Sequence, residues 1–336
     1  MADIIALGDV NADIIARFPE YPAKGQNSVA LSSEFHGGGS AANTVMALAQ
    51  MGLRVGLIAR VGSDPWGLEA TQALAAAGVD LSNLQRDPEA LTGVMYIVVT
   101  PDGERTMLGD RGANALTDPE EIEEATFSGA RLFYLSGYAL LVEPQRSAAL
   151  RGLACARHHG LAVALDPGLL GSEAAREEVR SLLPETGVFL PSRDEATALT
   201  GLSDPTQCLE AFLDQGVQVV ALKLGRDGCL VGSDSGRYQV PAFAVAARDS
   251  TGAGDSFAAG FLAAHLAGLD LRSAAIVGNA LGATTVAHVG GGNAAPRIKE
   301  MLALLKHHQS DPAFGEHSPA FREAIDFIER IVASNR

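Results

Sequence analysis

The chain alternates short apolar runs rich in β-branched residues with longer stretches whose apolar residues recur at helical spacing. The short runs include "IIALGDV", "RVGLIARVG", "RLFYLSG", "LAVALDPG" and "VQVVALKLG", and the longer ones include "SAANTVMALAQMG" and "EPQRSAALRGLACARHHG". Continuous apolar runs are typical of strands covered on both faces, and the helices between them supply the crossovers that parallel strands require. The sequence therefore predicts an α/β fold with a mostly parallel central β-sheet flanked by helices.

Two β-rich stretches interrupt this alternation, at residues 14–36 and 92–111. The second contains "PDGE", a turn signal between two alternating runs, and predicts a hairpin. We expect the two stretches to form a small β-sheet lid over a ligand cleft, with an ordinary β excursion as the alternative. The expected division is a main α/β domain at 1–13, 37–91 and 112–305, the lid at 14–36 and 92–111, and a C-terminal extension at 306–336 with an appended helix.

Composition excludes several classes of protein. The 336 residues are 47% hydrophobic, and 25 Lys and Arg face 40 Asp and Glu, for a net charge of −15. An acidic chain of this kind does not present a general nucleic-acid surface, and no apolar run approaches the length of a membrane span. Its three cysteines lack CxxC spacing and predict free thiols. We expect a soluble, untargeted cytoplasmic protein.

The segment "TGAGDSFAAGFLAAHLAGL" predicts a helix that begins at its glycines. Free N–H groups at a helix start, with Gly252, Ala253 and Gly254 allowing close approach, suit an anion such as a transferring phosphoryl group. Asp255 then has two interpretations. It either caps the helix or accepts the proton of a substrate hydroxyl that attacks a γ-phosphate. The helix dipole is expected to lower the pKa of Asp255.

A second polar constellation lies near the amino end. In "GDVNAD" the strand period places Asn11 and Asp13 on one face, where they suit sugar hydroxyls. In "HGGGSAAN" the glycines, including Gly38 and Gly39, precede a helix whose first turn carries Asn43. Close backbone approach beside an amide again suits a polyhydroxyl ligand. Taken separately, solvation of a strand end and a tight turn explain both motifs.

The two motifs together resemble those of the ribokinase-like (PfkB) carbohydrate kinases. The family's carboxyl-terminal signature, DTTGAGDxFxxG, is matched by "DSTGAGDSFAAG" with Ser250 as the only departure, and its GG…N signature by "GGSAAN". Ser40 stands where ribokinases commonly have Lys. The resemblance covers residues 3 to about 300 and implies a ribokinase-like fold, a closing lid, and ATP-dependent transfer of the γ-phosphate to a hydroxyl with Asp255 as general base and the 252–254 backbone as anion hole.

The resemblance also assigns residues to each substrate. It implicates Asn11 and Asp13 in acceptor binding, together with Asn114 of "RGANALT". On the nucleotide side it implicates four residues: Lys223, Gly225, Gly228 and Asn279. A β-turn is the alternative explanation for the two glycines.

The same resemblance predicts binding sites for metal ions. The family's NxxE element, which organises Mg²⁺ through water, appears as "SRDE", with Ser192 in place of Asn and Glu195 retained. Asp249 and Thr251 match positions implicated in binding a monovalent cation, so K⁺ is a hypothesis.

The acceptor is left open by the sequence. Tyr96 and Arg105 lie in the predicted lid hairpin and are further candidates for acceptor contact. A neutral sugar of the ribose or fructose kind is favoured, with a nucleoside or a sugar acid of the 2-keto-3-deoxygluconate kind as alternatives. A homodimer formed through apolar lid residues is a further expectation, and the residues are Val29, Leu31, Val94 and Ile97.

Three other classes are alternatives to a kinase of this family. An NAD-dependent dehydrogenase is disfavoured because no GxGxxG follows the first strand, and a Walker-type kinase because the sequence has no Gly-Lys pair. A non-catalytic sugar-binding protein is the remaining alternative.

Overall fold

The computed structural model describes residues 1–102, 104–168, 171–288 and 298–334. Parts of three predicted segments lie outside these ranges: Gly103 of the hairpin turn, residues 169–170 and 289–297 of the main domain, and residues 335–336 of the extension.

A large sheet forms the centre of the molecule, in the order β13, β12, β11, β10, β9, β8, β1, β4, β5. Strands are numbered along the chain across both sheets. Those of the large sheet are β1 (Ile4–Leu7), β4 (Val55–Gly62), β5 (Leu84–Asp87), β8 (Leu132–Ser136), β9 (Ala162–Asp166), β10 (Val188–Phe189), β11 (Val219–Lys223), β12 (Cys229–Ser233) and β13 (Gly236–Val240). All described pairings are parallel except those that β12 makes with β11 and β13.

Helices cover both faces of this sheet. They are α1 (Ser40–Gln50), α2 (Pro65–Ala76), α3 (Gln145–His158), α4 (Glu173–Leu182), α5 (Arg193–Thr200), α6 (Pro205–Asp214), α7 (Ala253–Leu266), α8 (Leu271–Val286), α9 (Ile298–His308) and α10 (Ser318–Ser334). The neighbours of β1 explain why every residue of this strand is apolar. Ile4 and Ala6 join a core with α1, α7 and α8, whereas Ile5 and Leu7 join a second core with α3 to α6. The predicted fold class is confirmed.

A separate small sheet holds the two β-rich stretches, in the order β3, β2, β6, β7. Its strands are β2 (Asn11–Arg17), β3 (Ser32–Gly38), β6 (Gly93–Val99) and β7 (Arg105–Asp110). Asn11 and Asp13 therefore belong to the small sheet and not, as the sequence suggests, to the end of the first strand of the large one. Because only residues 8–10 separate β1 from β2, the small sheet leaves the large one directly at the cleft.

The apolar lid residues differ in their exposure. Val29 and Leu31 are 84% and 71% exposed, but Ile97 is buried against Ile15 and Val99. A dimer through the small sheet stays a prediction, and Ile97 is not part of any such surface in this arrangement.

The C-terminal extension packs on the main body. Helix α10 contacts α8 and α9. Phe243 stacks on Phe314, and Phe321 meets both rings edge to face. None of the helices in the described ranges is long and apolar enough to cross a membrane. The thiols of Cys155, Cys208 and Cys229 are buried and free.

Candidate active site

The glycine-rich segment forms the start of α7. Gly252 adopts a left-handed φ of 72° and precedes the first helical residue, Ala253. The N–H groups of the first turn therefore lack intrahelical acceptors, and Gly254 adds no side chain between them and the cleft. This geometry suits an anion, and binding of an anion there stays a prediction.

The carboxylate of Asp255 is held from another element. Its Oδ1 accepts a hydrogen bond of 2.8 Å from the Ser40 hydroxyl, and its Oδ2 accepts one of 2.8 Å from the Asn43 amide. Among the described residues no side chain caps the start of α7. The interpretation of Asp255 as a helix cap is therefore wrong, and the carboxylate is instead fixed between α7 and α1.

The two donors are positioned by α1. Ser40 is the first residue of that helix and Asn43 lies three residues later, so both project from one face. The sequence predicts that Asn43 contacts the acceptor, and its amide nitrogen is instead bonded to Asp255. It assigns no role to Ser40, although a hydroxyl one helical turn before Asn43 was a signal that could have paired them.

The environment of Asp255 changes its proton affinity. Burial, reinforced by the charge of Asp166 and opposed by the hydrogen bond from Asn43, raises the pKa of Asp255 to about 6. The expected lowering by the helix dipole is wrong because desolvation of the carboxylate outweighs it. At neutral pH the group is still mostly ionised, and it is a stronger base than a free aspartate.

Asp13 faces Asp255 from the small sheet. Burial, followed by the charge of Asp255, raises the pKa of Asp13 to about 7. Gly38 of the neighbouring strand lies against this carboxylate, and a Cβ atom at Gly38 would overlap it. Glycine is required there, and the close approach brings β2 and β3 together beside the start of α1.

Asn114 supports Asn11. Asn114 is completely buried, its Oδ1 accepts from the Val10 N–H at 2.9 Å, and its Nδ2 donates to the Asn11 Oδ1 at 2.8 Å. Both ends of the Asn114 amide are hydrogen-bonded inside the protein, and its direct contact with the acceptor stays a prediction. Asn114 also fixes the side-chain oxygen of Asn11.

The register of the small sheet separates Tyr96 from the cleft. Asp13 pairs with Met95 and Ile14 with Tyr96, so Tyr96 lies on the face opposite Asp13. The contact of Tyr96 with the acceptor stays a prediction, and this register does not support it. Arg105 pairs with Val99 and shares the face of Asp13.

Lys223 forms a buried ion pair at the carboxyl ends of β9 and β11. Its Nζ donates to Asp166 Oδ2 at 2.7 Å, with the two side chains 14% and 7% exposed. Burial alone would lower the pKa of Lys223, but the charges of Asp166 and Glu195 outweigh it and raise the pKa. A Cβ atom at Gly254 would lie 3.7 Å from the Lys223 Nζ. The ammonium is therefore adjacent to the start of α7.

Asp166 is absent from the sequence-based predictions. It is the last residue of a buried parallel strand, and the carboxyl ends of such strands form the ligand edge of α/β sheets. That position was the signal that could have identified it.

Glu195 and Ser192 form a capping box at the start of α5. The Glu195 carboxylate accepts from the Ser192 N–H at 2.6 Å, and the Ser192 hydroxyl accepts from the Glu195 N–H at 3.3 Å. Ser192, where the family has Asn, is thus occupied in capping. Burial raises the pKa of Glu195 against the charge of Lys223, and these charges meet at one edge of the sheet.

The other predicted nucleotide residues lie near this edge. Gly225 and Gly228 form the turn between β11 and β12. Asn279 of α8 is buried, and its Nδ2 donates to the carbonyls of Val240 and Pro241 at 3.2 and 3.1 Å. Asn279 therefore fixes the chain that leaves β13.

Two arginines of the cleft are paired with buried aspartates. Arg105 contacts Asp249 at 2.5 Å and also donates to the Thr251 hydroxyl. Arg111 donates to Asp9 at 3.1 Å, and Asp9 also accepts from Gln145 at 2.7 Å. Asp249 and Thr251, predicted as ligands of a monovalent cation, are brought together as expected, but a guanidinium lies against them.

The fold and this arrangement define a phosphotransferase that uses a hydroxyl acceptor. The family model described as pfkB family carbohydrate kinase matches residues 1–298. The chain belongs to this family, and the dehydrogenase alternative is thereby excluded.

Three known proteins illustrate the likeness. The chain is 35% identical over 306 residues to an ATP-dependent ribose-1-phosphate kinase of Halopiger xanaduensis, covering 91% of this chain and 98% of the relative. It is 30% identical over 313 residues to a 2-dehydro-3-deoxygluconokinase of Thermoproteus tenax, covering 91% and 95%. The crystal structure of a ribokinase from Thermotoga maritima superposes with a TM-score of 0.80 at 25% identity, covering 91% of this chain and 100% of that one.

Proposed function

We propose that this kinase transfers the γ-phosphate of ATP to a hydroxyl of a small neutral sugar, with Asp255 as general base and the Gly252–Gly254 backbone as anion hole. The observation that carries this proposal is the double hydrogen bond that fixes Asp255 at the start of α7, opposite Asp13. The Ala253 N–H donates to the Ser250 carbonyl only at 3.3 Å, and a fixed carboxylate beside N–H groups at a helix start suits removal of a proton from a hydroxyl that attacks a phosphoryl group held by those N–H groups.

The nucleotide is proposed to lie along the carboxyl edge of the large sheet. Lys223, next to Gly254, would interact with the phosphates, and the turn at Gly225 and Gly228 would border the nucleoside together with Asn279. The ribose-1-phosphate kinase relative is named as ATP-dependent, which supports ATP as donor. Charge stabilisation by Lys223 suits a transition state in which charge spreads over the phosphoryl oxygens.

Magnesium is proposed to bind near Glu195 and Asp166. Asp166 is buried and Glu195 is partly buried, and both carboxylates are hard oxygen donors of the kind that Mg²⁺ prefers. The described part of the chain has no group of three His, Cys, Asp or Glu that could hold a metal. Water and ATP would therefore complete the coordination, and the ion would neutralise phosphate charge. Asp166 and Glu195 would orient the coordinated water.

The charges of the acceptor side support a neutral sugar. The carboxylates of Asp13 and Asp255 face each other across the cleft. Arg105 is paired with Asp249, and Arg111 is paired with Asp9. An anionic acceptor would meet two carboxylates and two arginines that are already neutralised. Asn11 and Asp13 provide donors and acceptors suited to sugar hydroxyls.

A sugar phosphate is the second candidate. Although Arg111 is paired with Asp9, its Nε is buried and makes no hydrogen bond within the described residues, so this N–H could donate to a phosphate if the acceptor reaches it. The name of the ribose-1-phosphate kinase relative points to the same class. A sugar acid and a nucleoside, the other acceptors considered from the sequence, have no comparable observation in this structure.

An acceptor panel tests the proposal. ADP formation is measured with ribose, fructose, ribose 1-phosphate, 2-keto-3-deoxygluconate and adenosine at one ATP and Mg²⁺ concentration. We expect the highest kcat/KM for a neutral sugar, by ~10-fold or more over the charged acceptors, since each misplaced charge costs more than 1.4 kcal/mol. A clear preference for ribose 1-phosphate would instead establish the second candidate.

The activity should depend on pH through Asp255. Because its pKa is about 6, the general base is ionised above that pH and protonated below it. We expect kcat to fall as pH decreases below about 6 and to be level above it. Replacing Asn43 by Ala removes a hydrogen bond to the ionised carboxylate, so the acid limb should move to higher pH. A wild-type limb that begins only below about pH 4, near the pKa of free aspartate, would contradict this assignment.

A further inference from the structure

Arg105 joins the small sheet to the loop that precedes α7. It is the first residue of β7, and its guanidinium contacts the Asp249 carboxylate at 2.5 Å and donates to the Thr251 hydroxyl. The Thr251 N–H in turn donates to Asp249 Oδ1 at 2.7 Å. These contacts converge one residue before Gly252, and they therefore fix the backbone that leads into the start of α7.

The burial of the partners makes the cation necessary. The Asp249 side chain has no exposed surface and that of Arg105 is 15% exposed. A buried carboxylate is costly unless a positive charge compensates it. In this protein the compensating charge comes from the small sheet, across the cleft.

We propose that Arg105 is a positioning residue whose guanidinium takes the place of the monovalent cation expected at Asp249 and Thr251, and holds the anion-hole loop when the small sheet covers the cleft. It acts on the reaction through the backbone of residues 249–252 and contacts neither substrate. This inference rests on the proposed anion hole. It disagrees with the K⁺ requirement that the resemblance implies, because the carboxylate that would bind K⁺ already contacts a fixed positive charge.

A covalently attached cation has two consequences. The positive charge is present at every K⁺ concentration, so the wild-type protein should not respond to K⁺. Its position also depends on the position of β7, so the anion-hole loop is held only while the small sheet is over the cleft. A diffusible ion would provide neither property.

The experiment compares the wild type with Arg105→Met in KCl and in tetramethylammonium chloride at equal ionic strength. Met keeps an unbranched apolar chain and removes the charge, which leaves a cation-sized space beside Asp249. The control is Arg60→Met, because the Arg60 side chain is also 15% exposed and pairs with a buried aspartate, Asp87, at 3.0 Å. Arg105→Lys restores the charge without the two-pronged geometry.

The first readout is the Tm of the ligand-free protein, which does not depend on the acceptor. We expect the wild type to have the same Tm in KCl and in tetramethylammonium chloride, and we expect the same of Arg60→Met. Arg105→Met should unfold several degrees lower in tetramethylammonium, and K⁺ should restore part of the loss. The Tm of Arg105→Lys in tetramethylammonium should lie between those of the wild type and of Arg105→Met.

The second readout separates kcat from KM. Arg105→Met should lose ~10-fold or more in kcat in tetramethylammonium, with recovery in K⁺, since a misplaced anion-hole donor acts in the transition state. Three results would overturn the proposal: K⁺ stimulation of the wild type, an Arg105→Met protein that behaves identically in both salts, or a loss confined to the KM of a charged acceptor. If no protein phosphorylates any acceptor, the proposed function fails. The Tm comparison still tests the role of Arg105, because it needs no acceptor, so the two failures can be told apart.

Discussion

Replacing Asp255 by Asn is expected to lower kcat ~10²–10⁴-fold, the usual contribution of a general base. The variant removes the proton acceptor and keeps the shape of the side chain. Its amide can still accept from Asn43 and donate to the Ser40 hydroxyl, so the contact between α7 and α1 is preserved. Steady-state ADP release, with Tm measured in parallel, checks the expectation. We expect an unchanged acceptor KM and an unchanged fold.

Asp270 provides the matched control for this substitution. It lies at the start of the adjacent helix, where its carboxylate accepts from the Ser273 N–H, and Asn caps helices equally well. Asp270→Asn should therefore keep full activity. If Asp255→Asn retained kcat within a factor of about 10, general-base catalysis by this residue would be refuted, since the smallest usual effect is larger.

Replacing Lys223 by Met should damage both catalysis and stability. The variant removes the charge beside Gly254, and we expect kcat to fall ~10²–10³-fold, by analogy with the loss of one oxyanion donor. It also leaves Asp166 as a buried carboxylate next to Glu195. Breaking such a pair costs ~3–5 kcal/mol in the free energy of unfolding when both partners are buried. Denaturant unfolding and ADP release measure the two effects separately.

A double variant distinguishes the two roles of Lys223. Adding Asp166→Asn to Lys223→Met removes the uncompensated charge, so most of the lost stability should return. The activity should stay below that of the Asp166→Asn single variant, which accounts for the proposed magnesium role of Asp166, because the positive charge near the phosphates is still missing. Recovery of kcat in the double variant would contradict a direct electrostatic role and would reduce Lys223 to a structural residue.

The sequence predicts the elements of this protein better than their relations in space. Periodicity identifies the strands of the large sheet, because burial on both faces leaves a continuous apolar run such as Ile4–Leu7. It also identifies the helix start at Gly252, because a left-handed turn and the onset of a 3.6-residue period are local properties. The Asp255 site could be located for the same reason.

Properties that depend on tertiary contact could not be predicted in this way. The face on which Tyr96 lies depends on strand register, and a shift of one residue would reverse it. Asn114 is buried because β2 passes over it from a distant part of the chain. The pKa of Asp255 rises because the surrounding protein excludes water and because the charge of Asp166, which is distant in sequence, disfavours ionisation.

The division between the two sheets has an evolutionary consequence. Asn11 and Asp13, which are proposed to bind the acceptor, lie on the small sheet, whereas Asp255 and Lys223 lie on the large domain. Substitutions in the small sheet can therefore exchange one acceptor for another without altering the machinery that handles the phosphate. On the proposed assignment, relatives named for ribose 1-phosphate and for 2-dehydro-3-deoxygluconate would differ in acceptor through the four strands of the small sheet, while the groups proposed to handle the phosphate belong to the large domain.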